Sequence, residues 1–79
     1  LKINSKKEIG SIIKEARKSK NMTQQFLADK CCLSRSYISD IESGRYSPSL
    51  ETLLNISSEL EINLNLFKNV VNTHGLLEN

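Results

Sequence analysis

Residues 23–44, TQQFLADKCCLSRSYISDIESG, restrict the possible folds more than any other part of the chain. Thr23 is a helix-start residue, because its hydroxyl can accept a hydrogen bond from an orphan N–H of the first turn. Leu27, Ala28 and Cys31 follow at the spacing that places side chains on one helical face. Ser34 is a second start signal, Ile38 and Ile41 continue it at helical spacing, and Gly44 supplies a stop. The stretch therefore predicts two helices of about two to three turns joined by a tight turn. Helices this short are not stable alone in water, so they must pack on each other and on flanking helices. Small Ala28 allows a close crossing.

The outward face of the second helix carries Arg35, Ser36, Tyr37, Ser39 and Asp40. Such side chains gain little from burial and have hydrogen-bonding groups to offer. A short helix displaying donors and acceptors from a basic body is what reading base edges in a major groove requires.

Charge is distributed to match. The net charge is only +2, but residues 1–46 hold ten Lys and Arg against five acids, and residues 47–79 hold one Lys against four. A basic amino-terminal part suits a phosphate-facing side. Lys6, Lys7 and Lys14 fit that side or an ordinary solvated helix face.

The stretch closely resembles the helix-turn-helix of phage-repressor-type DNA-binding domains (Cro/CI-like, the XRE family). The resemblance covers roughly residues 6 to 67. It runs in order and without a gap through Thr23, Gln24, Leu27, Ala28, Leu33, Ser34, Arg35, Ser36, Ile38, Ser39, Ile41, Glu42, Gly44, Pro48, Ser49 and Leu50. It implies an all-α fold, a compact bundle of about five short helices. It also implies a homodimer that sets two recognition helices, residues 34–43, in successive major grooves of a near-palindromic operator, about 34 Å apart.

Arg35, Ser36, Tyr37, Ser39 and Asp40 are then the base-reading candidates. Arg35 can bond both acceptors of a guanine, and Asp40 can accept from a cytosine amino group. Asp40 equally fits an orienting role toward Arg35 or Tyr37, or a place in solvent. Thr23 and Gln24 at the start of the first short helix, with Ser43, Arg45, Tyr46 and Ser47 after the second, are candidates to clamp phosphates and set register. The family pairs a late helix-1 Arg with a Glu near the end of the recognition helix, and Arg17 and Glu42 occupy those positions. Cys32 stands in the turn where the family usually has Gly. It therefore adopts a strained backbone conformation, or the turn differs here. Glu61 likewise replaces a usual Gly after helix 4, which implies a less sharply ended helix.

The flanks complete the bundle. Residues 1–5 form an arm, and residues 6–68 the helix-turn-helix domain. Ser5 and Glu8 have capping-box spacing at the start of helix 1, which runs to about Lys20 with Ile9, Ile12, Ile13 and Ala16 inward. Ser47 or Ser49 caps helix 4, Pro48 fits its first turn, and Leu50, Leu53, Ile56, Ser57 and Leu60 face inward. Asn63 caps a fifth helix, with Ile62, Leu64 and Phe67 toward the core. Leu54, Leu66 and Val70 fall off these stripes and are expected to form the dimer interface. Residues 69–79 are an extension that frays or adds to that interface. The chain begins at Leu1, which fits a processed chain or a piece of a longer regulator.

Other functions find little support. The single His74 lies in the tail, no nucleophile sits beside a base, and there is no glycine-rich phosphate loop. No catalytic residue, cofactor or small-molecule ligand is expected. Adjacent Cys31 and Cys32 lack disulfide geometry and, with a distant His74, lack metal-ligand spacing. Absence of a disulfide framework favours a reducing cytoplasm, and the DNA-binding resemblance implies association with the nucleoid there. No run of about eighteen apolar residues could span a membrane. The competing class is a protein-interaction helix-turn-helix, such as an antitoxin or anti-repressor partner.

Overall fold

The computed structural model describes residues 5–68. Its elements are α1 (Ser5–Ser19), α2 (Gln24–Cys31), α3 (Arg35–Glu42) and α4 (Leu50–Leu60), followed by a 3-10 turn at Leu64–Phe67. The fold is all-helical, with no strand among the described residues.

Three of the starts are set by side-chain caps. Thr23, Ser34 and Ser49 each have extended backbone, and their hydroxyls accept from the N–H groups of Phe26, Tyr37 and Thr52 at 3.0, 3.1 and 3.2 Å. Losing such a cap typically costs about 1 kcal/mol. Ser49 is thus the cap of α4, and Pro48 stands just before the helix rather than in its first turn. Asn63 begins the 3-10 turn in the same manner, its Oδ1 accepting from Asn65 N–H at 2.9 Å.

All four α-helices end alike, with a left-handed residue whose N–H and that of its successor fold back on the last turn. Those residues are Asn21, Cys32, Gly44 and Glu61, with φ of 57°, 59°, 79° and 56°. Leu33 N–H reaches Ala28 O at 2.8 Å, and Ile62 N–H reaches Ser57 O at 2.9 Å. Cys32 therefore takes the left-handed conformation rather than a different turn. Glu61 corrects the expectation of a loosely ended α4. The paired bonds stop the helix as sharply as glycine would, at the steric cost of a Cβ in that region, about 1–2 kcal/mol.

Ile13, Leu27, Ala28, Ile38, Ile41 and Ile56 are completely buried, with Cys31, Leu53, Leu60 and Phe67 closing the core around them. Two inward assignments fail. Leu50 is 72% exposed because it is the first residue of α4, where a side chain leaning back toward the amino terminus overhangs the helix end. Leu64 is 51% exposed, since a single 3-10 turn at the rim sends one large side chain, Phe67, inward. On α1 the deepest residues are Gly10, Ile13 and Arg17, while Ile9, Ile12 and Ala16 are only partly covered. Gly10 lets α3 lie against the α1 backbone. A Cβ there would stand 2.9 Å from the Glu42 carbonyl oxygen and closer still to that of Ile41.

Candidate nucleic-acid interface

The exposed side of α3 begins at the Ser34 cap. Arg35 and Ser36 are exposed in its first turn, and Tyr37, Ser39 and Asp40 are half-buried along it. The buried side, Ile38 and Ile41, anchors the helix through the core, so its polar side faces outward.

Asp40 organises the segment after α3. Its carbonyl oxygen accepts from Arg45 N–H at 2.9 Å, Tyr46 N–H at 3.2 Å and the Ser43 hydroxyl at 3.1 Å. Its carboxylate lies 3.3 Å from the Arg45 guanidinium. Arg45, rather than Arg35 or Tyr37, is thus the partner Asp40 has here. The Tyr46 ring meets Tyr37 edge-on, centroids 5.1 Å apart and planes at 67°. Residues 43–47 are in this way folded back on the outer face of α3, which brings three phosphate-clamp candidates, Ser43, Arg45 and Tyr46, beside the base-reading candidates. Ser47 is exposed further along.

At the other end, Thr23 and Gln24 open α2. The Thr23 hydroxyl accepts the cap bond and keeps its own proton to donate. The Gln24 side chain is held within the protein. Its Nε2 donates to Glu42 Oε1 at 3.0 Å, and its Oε1 accepts from Arg35 Nη1 at 3.3 Å. A phosphate role for Gln24 therefore falls to its backbone N–H at the helix start and to the second amide hydrogen.

Arg17 and Glu42 form the expected pair, and it is buried. Arg17 Nε donates to Oε2 at 2.7 Å and Nη2 to Oε1 at 3.1 Å, while Nη1 reaches the Met22 carbonyl at 2.6 Å. The fork ties α1, the α1–α2 turn and the end of α3 together. Sequence reasoning missed two supports. Gly10 was signalled only by a glycine inside a helical pattern. Asn55 of α4 donates to the Cys31 carbonyl at 3.1 Å and holds the end of α2, with no local signal in the sequence.

Among the described residues, no group of three His, Cys, Asp or Glu could hold a metal, and no helix is long and apolar enough to cross a membrane. Burial, with the nearby Glu59 carboxylate and Cys32, pushes the Cys31 thiol from 9.0 up to about 11, so it stays protonated at neutral pH. Of the expected dimer residues, Leu54 and Leu66 are 45% and 59% exposed, and Val70 lies outside the described residues. Each lines a shallow hollow, Leu54 with Leu64 and Leu66 with Ile12 and Ala16, and the two hollows share Glu61, Ile62 and Asn63.

Comparison with known proteins places this geometry. A family model described as Helix-turn-helix matches residues 13–67. The ImmF control region 10 kDa protein of Bacillus phage phi105 is 44% identical over 62 residues, covering 78% of this chain and 69% of that protein. The Immunity repressor protein of the same phage is 50% identical over 54 residues, which is 68% of this chain but 38% of the repressor. The chain thus spans well under half of the latter relative. Among solved structures, the restriction-modification controller protein C.Esp1396I, as a tetramer in complex with its natural 35 base-pair operator, aligns with TM-score 0.74 at 30% identity. That alignment covers 90% of this chain and 95% of that one.

Proposed function

The chain belongs to the Helix-turn-helix family, and from that premise we propose that it is a sequence-specific double-stranded DNA-binding transcriptional regulator, acting as a repressor on a near-palindromic operator. The observation that carries this reading is the outward face of α3. A capped helix is fixed by its apolar side and presents Arg35 and Ser36 to solvent, while Arg35 is braced from α2 by Gln24. The excess of Lys and Arg in residues 1–46 supplies the long-range attraction to phosphates. The relatives support the same class, since one is named an immunity repressor and a structural neighbour is bound to its operator.

In this reading Arg35, Ser36, Tyr37 and Ser39 face the bases, and Asp40 stands beside them with its carboxylate on Arg45. Thr23 and the start of α2 hold one stretch of backbone, and Ser43, Arg45, Tyr46 and Ser47 hold another. Such contacts fix register without reading sequence. Leu54 and Leu66 flank the hollows beside the 3-10 turn and, with Val70, supply the homodimer contact. Reading two half-sites requires such a dimer to carry its two copies of α3 about 34 Å apart, one helical turn of DNA. The same apolar residues favour a second reading, a module that binds another protein.

Selection of bound sites from a random duplex library tests both. A symmetric motif with salt-dependent binding supports the operator reading. No binding to any duplex at low salt supports the protein partner. Within the first outcome, Arg35→Ala should cost about 1–3 kcal/mol and relax preference at one base position. Unchanged preference would remove Arg35 from the base-reading set.

A further inference from the structure

The segment after α3 brings an aromatic ring onto one of the base-reading candidates. Gly44, at φ 79°, turns the chain back. A Cβ there would stand 2.7 Å from Lys7 Cγ and 3.0 Å from Lys7 Cα, so α1 backs the turn. The Asp40 carbonyl oxygen then accepts from the N–H groups of Arg45 and Tyr46 at 2.9 and 3.2 Å, and the Asp40 carboxylate stands 3.3 Å from the Arg45 guanidinium. These contacts fix the backbone from which the Tyr46 side chain starts. Its ring lies against that of Tyr37, with centroids 5.1 Å apart and planes at 67°. Tyr37 is half-buried and also packs against the core, so its ring has neighbours both in the core and in the loop. Tyr46 itself is 52% exposed.

A tyrosine on an α-helix has two open χ1 wells, about 180° and about −60°. An edge-to-face partner favours the well that makes the pair by about two- to tenfold. We propose that Tyr46 is a specificity-positioning residue: its ring holds the Tyr37 ring in one rotamer on the outer face of α3 before DNA arrives. The proposal rests on Tyr37 facing a base. A ring held in place meets the right base with little loss of rotamer freedom, and it cannot swing aside to relieve a clash with a wrong one. The Tyr46 ring therefore sharpens preference at the Tyr37 position without touching that base. Its hydroxyl stays available to a phosphate, so the ring and the hydroxyl have separable effects.

The test is base selection from a randomised duplex library with the whole chain and with Tyr37→Leu, Tyr46→Ala, Tyr46→Phe and the double variant Tyr37→Leu/Tyr46→Ala. Thermal melts verify that each is folded. Tyr37→Leu identifies the base pair concerned. At that pair Tyr46→Ala is expected to lower discrimination by about threefold or more, and Tyr46→Phe, which keeps the ring, to leave it at the parental value. The double variant should discriminate no worse than Tyr37→Leu, because both residues act through one ring. Loss of a mere phosphate contact from the Tyr46 hydroxyl weakens every sequence alike in both Tyr46 variants and leaves the ratio unchanged. Parental discrimination in Tyr46→Ala would therefore overturn the proposal while leaving Tyr37 as reader. An equal loss in Tyr46→Phe would place the effect in the hydroxyl and overturn it too, and so would a loss at another base pair, which would make Tyr46 a reader itself. Unchanged preference in Tyr37→Leu would overturn the reading beneath the proposal, and the proposal with it. Should Tyr37→Leu fail to fold, three-bond NMR couplings about Tyr37 χ1 in the free protein serve alone. One rotamer is expected in the parent and in Tyr46→Phe, and averaging in Tyr46→Ala; a single unchanged rotamer in Tyr46→Ala would overturn the proposal.

Discussion

Gly10 of α1 and Ile41 of α3 touch through backbone: a Cβ on Gly10 would overlap the Ile41 carbonyl oxygen. The contact fixes how deeply α3 sits in the bundle and so how far its outer face projects. Gly10→Ala should destabilise by about 1–3 kcal/mol, the usual cost of overpacking, although alanine favours helix by about 1 kcal/mol. Urea denaturation measures it. A stabilised Gly10→Ala protein would mean that the two helices separate easily.

The Arg17–Glu42 fork should behave as a buried pair. Arg17→Met leaves the Glu42 carboxylate in the core with only Gln24 beside it, and should cost about 3–5 kcal/mol. Arg17→Met/Glu42→Leu removes the stranded charge and should recover most of that loss. A double variant as unstable as the single one would show that the fork contributes something that apolar packing cannot replace.

Cys32 is held at φ 59°, where a Cβ is unwelcome. Cys32→Gly relieves that strain but frees the unfolded chain, so the expected net gain is about 0.5–1 kcal/mol. Cys32→Val, branched at the same position, should be destabilising. Paired thermal melts check the opposite signs.

Alkaline stability should depend on Cys31. Its thiol titrates at about 11 in the folded chain against 9.0 in the reference state, so between those values the folded form keeps a proton that the unfolded form has released. Unfolding is therefore favoured as pH rises, and the contribution of the thiol is fully present below pH 9.0 and lost by about 11. The urea midpoint should fall over this range more steeply in the parent than in Cys31→Ala. Parallel slopes would refute the assignment. At neutral pH a thiol reagent should label exposed Cys32 and spare Cys31.

Asp40 pairs with Arg45 at 3.3 Å and also brings a carboxylate toward the proposed phosphate path. Asp40→Asn should tighten binding to all duplexes alike, since it frees Arg45 and removes a repulsive charge. Arg45→Ala should weaken all alike and flatten the salt slope by about one unit. If Asp40→Asn instead altered preference at a single base pair, Asp40 would be reading a cytosine.

Much of this protein is written locally. The serine and threonine caps at Thr23, Ser34 and Ser49 are short-range hydrogen-bond codes, and the stripes through Leu27, Ile38 and Ile56 follow from helical periodicity, so the order of helices was legible in the chain. The Arg17–Glu42 pairing was legible only through resemblance, since 25 residues separate the partners. Tertiary structure alone decided the rest. Periodicity reports direction around a helix axis but not what lies over each point along it. That is why Leu50 and Leu64, inward by pattern, stand in solvent, and why Gly10 turned out to be a helix crossing. The left-handed ends at Cys32 and Glu61 hold without glycine because backbone bonds to the preceding turn and packing of Leu33 and Ile62 outweigh the strain. Gln24 was polar and near a helix start in the sequence. Only the fold, by setting a buried carboxylate on one side and Arg35 on the other, gave its amide a direction.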